Sequence, residues 1–363
     1  MKEDWAYTEI CLESLASSMG HLLARIRAQI SRGIVNGDGW QRLLERASET
    51  PVTYAAFPFG LEVPLHDPAL RADFGVSLVG NSRTAKYYQD GNYPVEQERS
   101  GACLAWILNE TDRSESMLRR VAGQKLLLEY DVNVDDHADR SEPGVFLYPV
   151  DDILAGGTEN LSALHTVHDA LVFAGGWDAD AAEQQRVEDF YRLLPPNILL
   201  RAFGTFPARA RTMRIAATGF TQAKQVMQFL SNMGWDGDSS AVGDIVAFFD
   251  DCKAFAYLGL HFDITANGMG PNLGLSFFAS EKEWLKGIGK WTPALDAIGK
   301  QGMAVPTKLA TMATASTGTA TMMAATGPIM LVRGIHHLKL SITGDQVKQA
   351  KAYLFFLMMA ART

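Results

Sequence analysis

Two stretches about 125 residues apart carry the same order of apolar and polar positions. Met213, Ile215 and Ala217 alternate with Arg214, Ala216 and Thr218, turn at Gly219, and lead into residues 222–230. Leu338, Leu340 and Ile342 alternate with Lys339, Ser341 and Thr343, turn at Gly344, and lead into residues 349–357. Period-two alternation predicts a half-buried strand, and the apolar recurrence that follows predicts an amphipathic helix. A repeated strand–turn–helix unit implies a sheet with helices packed on one face.

The same spacing rules extend along the chain. Helices are predicted within residues 8–48, broken at Asn36-Gly37-Asp38-Gly39, and over 161–173, 181–194, 223–233 and 242–249. Strands are predicted at 74–79, 102–108, 125–134, 144–150, 257–264 and 273–278, with a hairpin joining 198–206 to 211–218. A helix interrupted at Pro293 falls within 281–299, and 335–342 and 345–361 read as the last strand and last helix. Pro195-Pro196 is the main internal boundary, because two prolines cannot continue the preceding helix. The chain therefore reads as an N-terminal helical segment (1–60), a first α+β half (61–194) and a second α+β half (195–363). Few spacings suit parallel crossovers, so α+β with two related halves, mostly antiparallel sheets and helices on one face is expected. Residues 308–328 are rich in small residues and methionine, which predicts a pliable loop able to close over an extended ligand.

Composition narrows the function classes. A net charge of −8 argues against general nucleic-acid binding, which requires cations to neutralise phosphates. Cys11, Cys103 and Cys252 are too few and too scattered for a disulfide framework or a zinc site, which fits a reducing cytoplasm. The N-terminus has no basic stretch followed by an apolar core, so no secretory signal is expected. The uncharged stretch 309–332 is dominated by Thr, Ser, Ala and Gly, which gain little from hydrocarbon, so no membrane partner is expected.

Candidate chemistry is sparse. His261 and Asp263 share one face of a predicted strand and, with His336 or His337, match the ligand types of a non-haem iron site. Asp131, Asn133, Asp135, Asp139 and Glu142 have the spacing of a calcium loop, but Asp136 stands where a glycine is needed and no exiting helix follows. An acidic solvated loop suits those residues better. His165 and His168 share a helical face without further ligands. Nucleophile-elbow and dinucleotide motifs are absent, and no metal or cofactor is expected.

Phe206-Pro207, residues 213–218, Gly234-Trp235, Asp263, Gly270-Pro271, Gly274-Leu275, His337-Leu338-Lys339 and residues 350–354 occur in an order that resembles stand-alone peptide-binding proteins of crocagin-type ribosomal peptide biosynthesis. The resemblance spans residues 125–358. It implies a non-catalytic protein that binds a precursor peptide, through leader or core, and presents it to a tailoring enzyme of the same pathway. A homodimer is compatible with it. Ser276 stands where that family carries an acidic residue.

The expectation is thus a cytoplasmic accessory protein whose second half offers a sheet edge to an extended peptide. The candidate contacts are Arg209, Arg211, Trp235, Tyr257, His261, Met322 and Met323. The alternative is a peptide-modifying enzyme: an iron oxygenase using His261 and Asp263, or a peptide prenyltransferase built as a barrel of repeated units around an aromatic cavity.

Overall fold

Strand alternation finds its physical reason in a sheet that closes on itself. The computed structural model describes residues 5–93, 98–132, 142–150, 152–279 and 287–360. Its strands are β1 (Phe59–Pro64), β2 (Asp73–Val79), β3 (Lys125–Tyr130), β4 (Gly144–Leu147), β5 (Leu199–Thr205), β6 (Met213–Phe220), β7 (Tyr257–Thr265), β8 (Gly268–Phe278), β9 (Gly318–Ala324), β10 (Gly327–Thr343) and β11 (Gln346–Ala360). Ten of these form a ring in the order β11-β1-β2-β3-β4-β5-β6-β7-β8-β10, sealed where β10 pairs with β11. Every pairing is antiparallel. β9 pairs with the stretch of β10 that β8 does not reach. The strands before and after Pro195-Pro196 therefore belong to one sheet.

The barrel has an apolar outside and a polar inside. Leu126 and Leu128, Met213 and Ile215, Leu258, Leu260 and Phe262, Leu338 and Leu340, and Ala350 and Ala352 are buried on its outer face. The helices cover that face, so the hydrophobic core is the layer between barrel and helices. Phe262 of β7 contacts Phe190 and Phe229 from two covering helices at ring separations of 5.2 and 6.1 Å. The N-terminal helices belong to the same layer: Cys11, Leu12, Met19, Leu22 and Leu23 are buried, and Thr8 Oγ1 accepts a hydrogen bond from the Ala360 amide of β11.

The α+β class with antiparallel pairing holds, and the closed barrel is absent from the expected fold class, having entered the sequence reading only with the prenyltransferase alternative. The first strand–turn–helix unit is present, as β6 followed by a helix at Ala223–Asn232. The second is not: residues 346–360 are β11, held by β10 on one side and β1 on the other. Residues 102–108, read as a strand, lie within the helix Glu98–Asp112, whose buried Cys103, Leu104, Ile107, Leu108 and Thr111 recur at helical intervals. The predicted pliable loop at 308–328 is a helix, Pro306–Ala315, followed by β9. Among the described residues no helix is long and apolar enough to cross a membrane.

Candidate active site

Inward-facing side chains surround a cavity of about 630 Å³ that runs through the barrel. Alternation brings Glu62 of β1, Asp73 of β2, Lys125 and Glu129 of β3, Arg214 of β6, His261 and Asp263 of β7, Lys339 of β10, and Lys351 and Tyr353 of β11 onto this one surface. Small residues keep it open. Gly274 of β8 is one that the geometry demands, since a Cβ there would lie 2.5 Å from the Lys339 side chain. The missing side chain lets Lys339 lie across β8 toward His261.

Most lumen charges are paired. Arg214 grips Asp263 with two hydrogen bonds, Nε to Oδ1 at 2.8 Å and Nη2 to Oδ2 at 3.1 Å. Lys351 donates to Glu62 at 2.5 Å across the β1–β11 seam. Arg209 donates to Asp131 at 2.9 Å and lies 3.7 Å above the Phe206 ring. Burial works against ionisation of Glu62, but the Lys351 ammonium outweighs it and holds the carboxyl down at about 2. Asp73 stands opposite Glu62, and burial together with that negative charge pushes it up to about 6.

Glu129 and Lys339 differ from these pairs. Neither makes a side-chain hydrogen bond or ion pair with another described residue. Burial, reinforced by the Glu62 carboxylate, raises Glu129 to about 7. Burial and the Arg214 guanidinium lower Lys339 to about 8. An acid and a base that change charge near neutrality inside one cavity suit binding of charged groups and proton transfer.

An aromatic ladder reaches the cavity wall at His337 and Tyr353. Tyr257, Phe278, His337 and Tyr353 stack in succession across β7, β8, β10 and β11, with centroid separations of 4.9, 5.0 and 4.0 Å. Phe146, Tyr148, Phe206 and Phe355 add further rings. Burial and the nearby Glu129 carboxylate push the Tyr148 hydroxyl up, and burial with Glu62 does the same for Tyr353, so both phenols stay neutral donors.

The barrel separates the residues singled out in the sequence. Arg209 and His261 line the lumen, and Tyr257 is the first ring of the ladder. Arg211 lies outside, bonded to the buried Glu183 carboxylate and 5.2 Å from the Trp177 ring. Trp235 is buried among the covering helices. Met322 and Met323 are on β9, where Met323 is 71% exposed. His261 bonds Ser276 at 2.9 Å, and Asp263 is taken up by Arg214. Among the described residues no three His, Cys, Asp or Glu side chains gather as metal ligands, so the iron ligand set is not assembled. Residues 133–141 of the calcium-type loop lie outside the described residues, and its first residue, Asp131, is turned to Arg209. His165 pairs instead with Glu188, and His168 with Glu183 and Asp169.

Glu62, Glu129, Lys339, Lys351 and Tyr353 escaped the sequence reading. The only signal was their regular place on the polar face of strands, and such a face reads as solvent-exposed until the sheet is known to close.

No family model matches the chain, and no curated protein matches it. Solved structures do. The prenyltransferase PriB, in a ternary complex with L-tryptophan and dimethylallyl thiolodiphosphate, superposes over 92% of this chain and 95% of its own, with a TM-score of 0.54 at 14% identity. PriB in a binary complex with product diphosphate gives the same coverages and identity with a TM-score of 0.51. The 5-dimethylallyltryptophan synthase from Streptomyces coelicolor covers 93% of this chain and 97% of its own at 13% identity, with a TM-score of 0.49. The shared feature is the fold, which in this chain is a closed antiparallel barrel covered by helices.

This corrects the expectation of a non-catalytic, peptide-presenting accessory protein. That reading needed an open sheet edge in the second half, where β5 to β8 are all paired on both sides and, among the described residues, only the seven-residue β9 keeps a free edge. The polar groups converge instead in the barrel lumen, in a fold shared with enzymes. The crocagin-type resemblance finds no support in these likenesses.

Proposed function

We propose that the chain is a prenyltransferase that moves an allylic group from its diphosphate to an electron-rich aromatic acceptor, in natural-product biosynthesis. The carrying observation is the meeting, around one barrel cavity, of Lys339 and Arg214 with the His337 and Tyr353 rings, the end of a stack that continues through Phe278 to Tyr257. The likeness to PriB bound to L-tryptophan and dimethylallyl thiolodiphosphate supports the same substrate classes here.

In this reading Lys339 is the principal cation for the diphosphate, with Arg214, Lys351 and Arg209 contributing beyond their carboxylate partners. The carbon–oxygen bond of the donor breaks, and its electron pair leaves on the diphosphate. The allylic cation is held against ring faces, which attract positive charge and exclude water. A ring carbon of the acceptor supplies the electrons of the new carbon–carbon bond and then loses its proton. Glu129 accepts a hydrogen bond from an acceptor N–H, which orients the ring.

The test is incubation with dimethylallyl diphosphate and an acceptor panel of indole, L-tryptophan and short tryptophan-containing peptides. A prenylated product should form, and Lys339→Met should cut kcat/KM for the donor by about 100-fold or more. Absence of product with every acceptor, together with no diphosphate release, would overturn the proposal.

A further inference from the structure

Two lumen imidazoles carry nitrogens that the bond-making steps above do not use; His337 enters those steps only through its ring face. His336 and His337 are consecutive, yet both line the cavity, because β10 shifts register between Ile335 and His337. Their Nδ1 atoms are 2.8 Å apart. Nitrogens at that separation share one hydrogen: one ring donates its Nδ1–H and the other accepts. The donating ring therefore has a bare Nε2, which is a base. His337 is fixed in orientation, stacked between Tyr353 and Phe278.

Lys125 faces His336, while His261 and Lys339 face His337. Burial and those neighbours disfavour a charged imidazole, most strongly at half-buried His337, which lies well below the ordinary range; His336, the more exposed ring, is lowered in the same direction. The pair is therefore neutral and unprotonated at pH 7. Such a base suits a very strong, short-lived acid such as a prenylated arene cation.

We infer that the His336–His337 pair takes up the proton lost by the acceptor ring, an assignment that rests on the transferase reading. After the carbon–carbon bond forms, the C–H electron pair returns to the ring and the proton binds the bare Nε2. The Nδ1 hydrogen of that ring passes to the facing Nδ1. The second ring releases its own Nε2 hydrogen to lumen water, and the pair is left with its tautomers exchanged. No oxidant or further reactant enters the balance.

The experiment compares wild type, His337→Phe and Glu129→Gln with dimethylallyl diphosphate and either indole or L-tryptophan, each with and without deuterium on the ring carbons. Phenylalanine keeps the stack and removes the base. In His337→Phe, kcat for the prenylated product should fall about 100-fold, in the range of a lost general base, with donor KM little changed. Diphosphate release should continue with water capturing the cation, and a primary isotope effect that wild type lacks should emerge. Nitrogen-15 spectra of wild-type histidines should reveal one Nδ1–H shared within the pair, and this readout does not depend on how the variants fold. Two neutral rings both protonated at Nε2, or a wild-type product rate without isotope effect in His337→Phe, would overturn the assignment alone. A wild type that releases no diphosphate with either acceptor would overturn the transferase reading, and the proton assignment with it.

Discussion

Lys339 on β10 and Lys351 on β11 stand directly opposite each other on the strand pair that seals the barrel, both facing the lumen. Like charges at opposed positions destabilise a sheet. Glu62 neutralises Lys351, while Lys339 has no ion pair among the described residues. An arrangement that costs stability in the empty barrel and gains from an anion is that of a binding site. Lys339→Met should therefore raise stability by about 0.5 kcal/mol in urea denaturation. Inorganic diphosphate should raise the Tm of wild type and leave that of the variant nearly unmoved.

Glu129 makes the barrel pH-sensitive. Its ordinary value is 4.5, and burial with the Glu62 charge moves it to about 7 in the folded chain. Between those values the unfolded chain has already lost the proton that the folded chain retains. Rising pH then favours unfolding: this contribution is fully present below about 4.5 and is lost as pH passes through about 7. Comparing Glu129→Gln with wild type across that window should reveal a difference on the order of 2 kcal/mol that develops with pH. Equal pH slopes for the two proteins would contradict it.

Closure can be probed at Gly60. A Cβ there would lie 2.4 Å from the backbone oxygen of Leu354 on β11, which cannot rotate away. Gly60→Ala should cost about 1–3 kcal/mol of stability by forcing β1 from β11, and should lower donor affinity along with it. An unchanged urea midpoint would mean that the seam is looser than the pairing implies.

The ion pair of Arg214 and Asp263 joins β6 to β7 inside the lumen. Arg214→Gln should lose about 1.5–3 kcal/mol because it strands a half-buried carboxylate. Adding Asp263→Asn should recover part of that stability without recovering activity, since the guanidinium is also assigned to the diphosphate. A double-mutant cycle in stability and kcat/KM checks both halves of this expectation.

What was legible in the sequence was local. Residues 213–230 declared a strand and a helix because their apolar spacing changes from two to between three and four within one turn. Residues 346–360 misled because Gln, Lys, Ala, Leu and Met are intrinsically strong helix formers. There the pairing of β11 with both β1 and β10 overrides propensity. The inward face of β11, with Lys351 and Tyr353, and its outward face, with Ala350 and Ala352, show the alternation once the partners are known. Arg209, Tyr257 and His261 were selected for a sheet edge, yet β5 to β8 around them are paired on both sides, and Arg209 and His261 line the lumen. Glu62 and Glu129 could not be singled out, because their chemistry arises from long-range closure and burial that no local motif records.

The most direct measurement of the central claim is a crystal structure of the chain grown with dimethylallyl thiolodiphosphate. The account predicts the diphosphate inside the barrel against Lys339 and Arg214, with the allyl group facing the Tyr353–His337 rings. A saturated crystal with the compound bound outside the lumen, or with the lumen unoccupied, would contradict it.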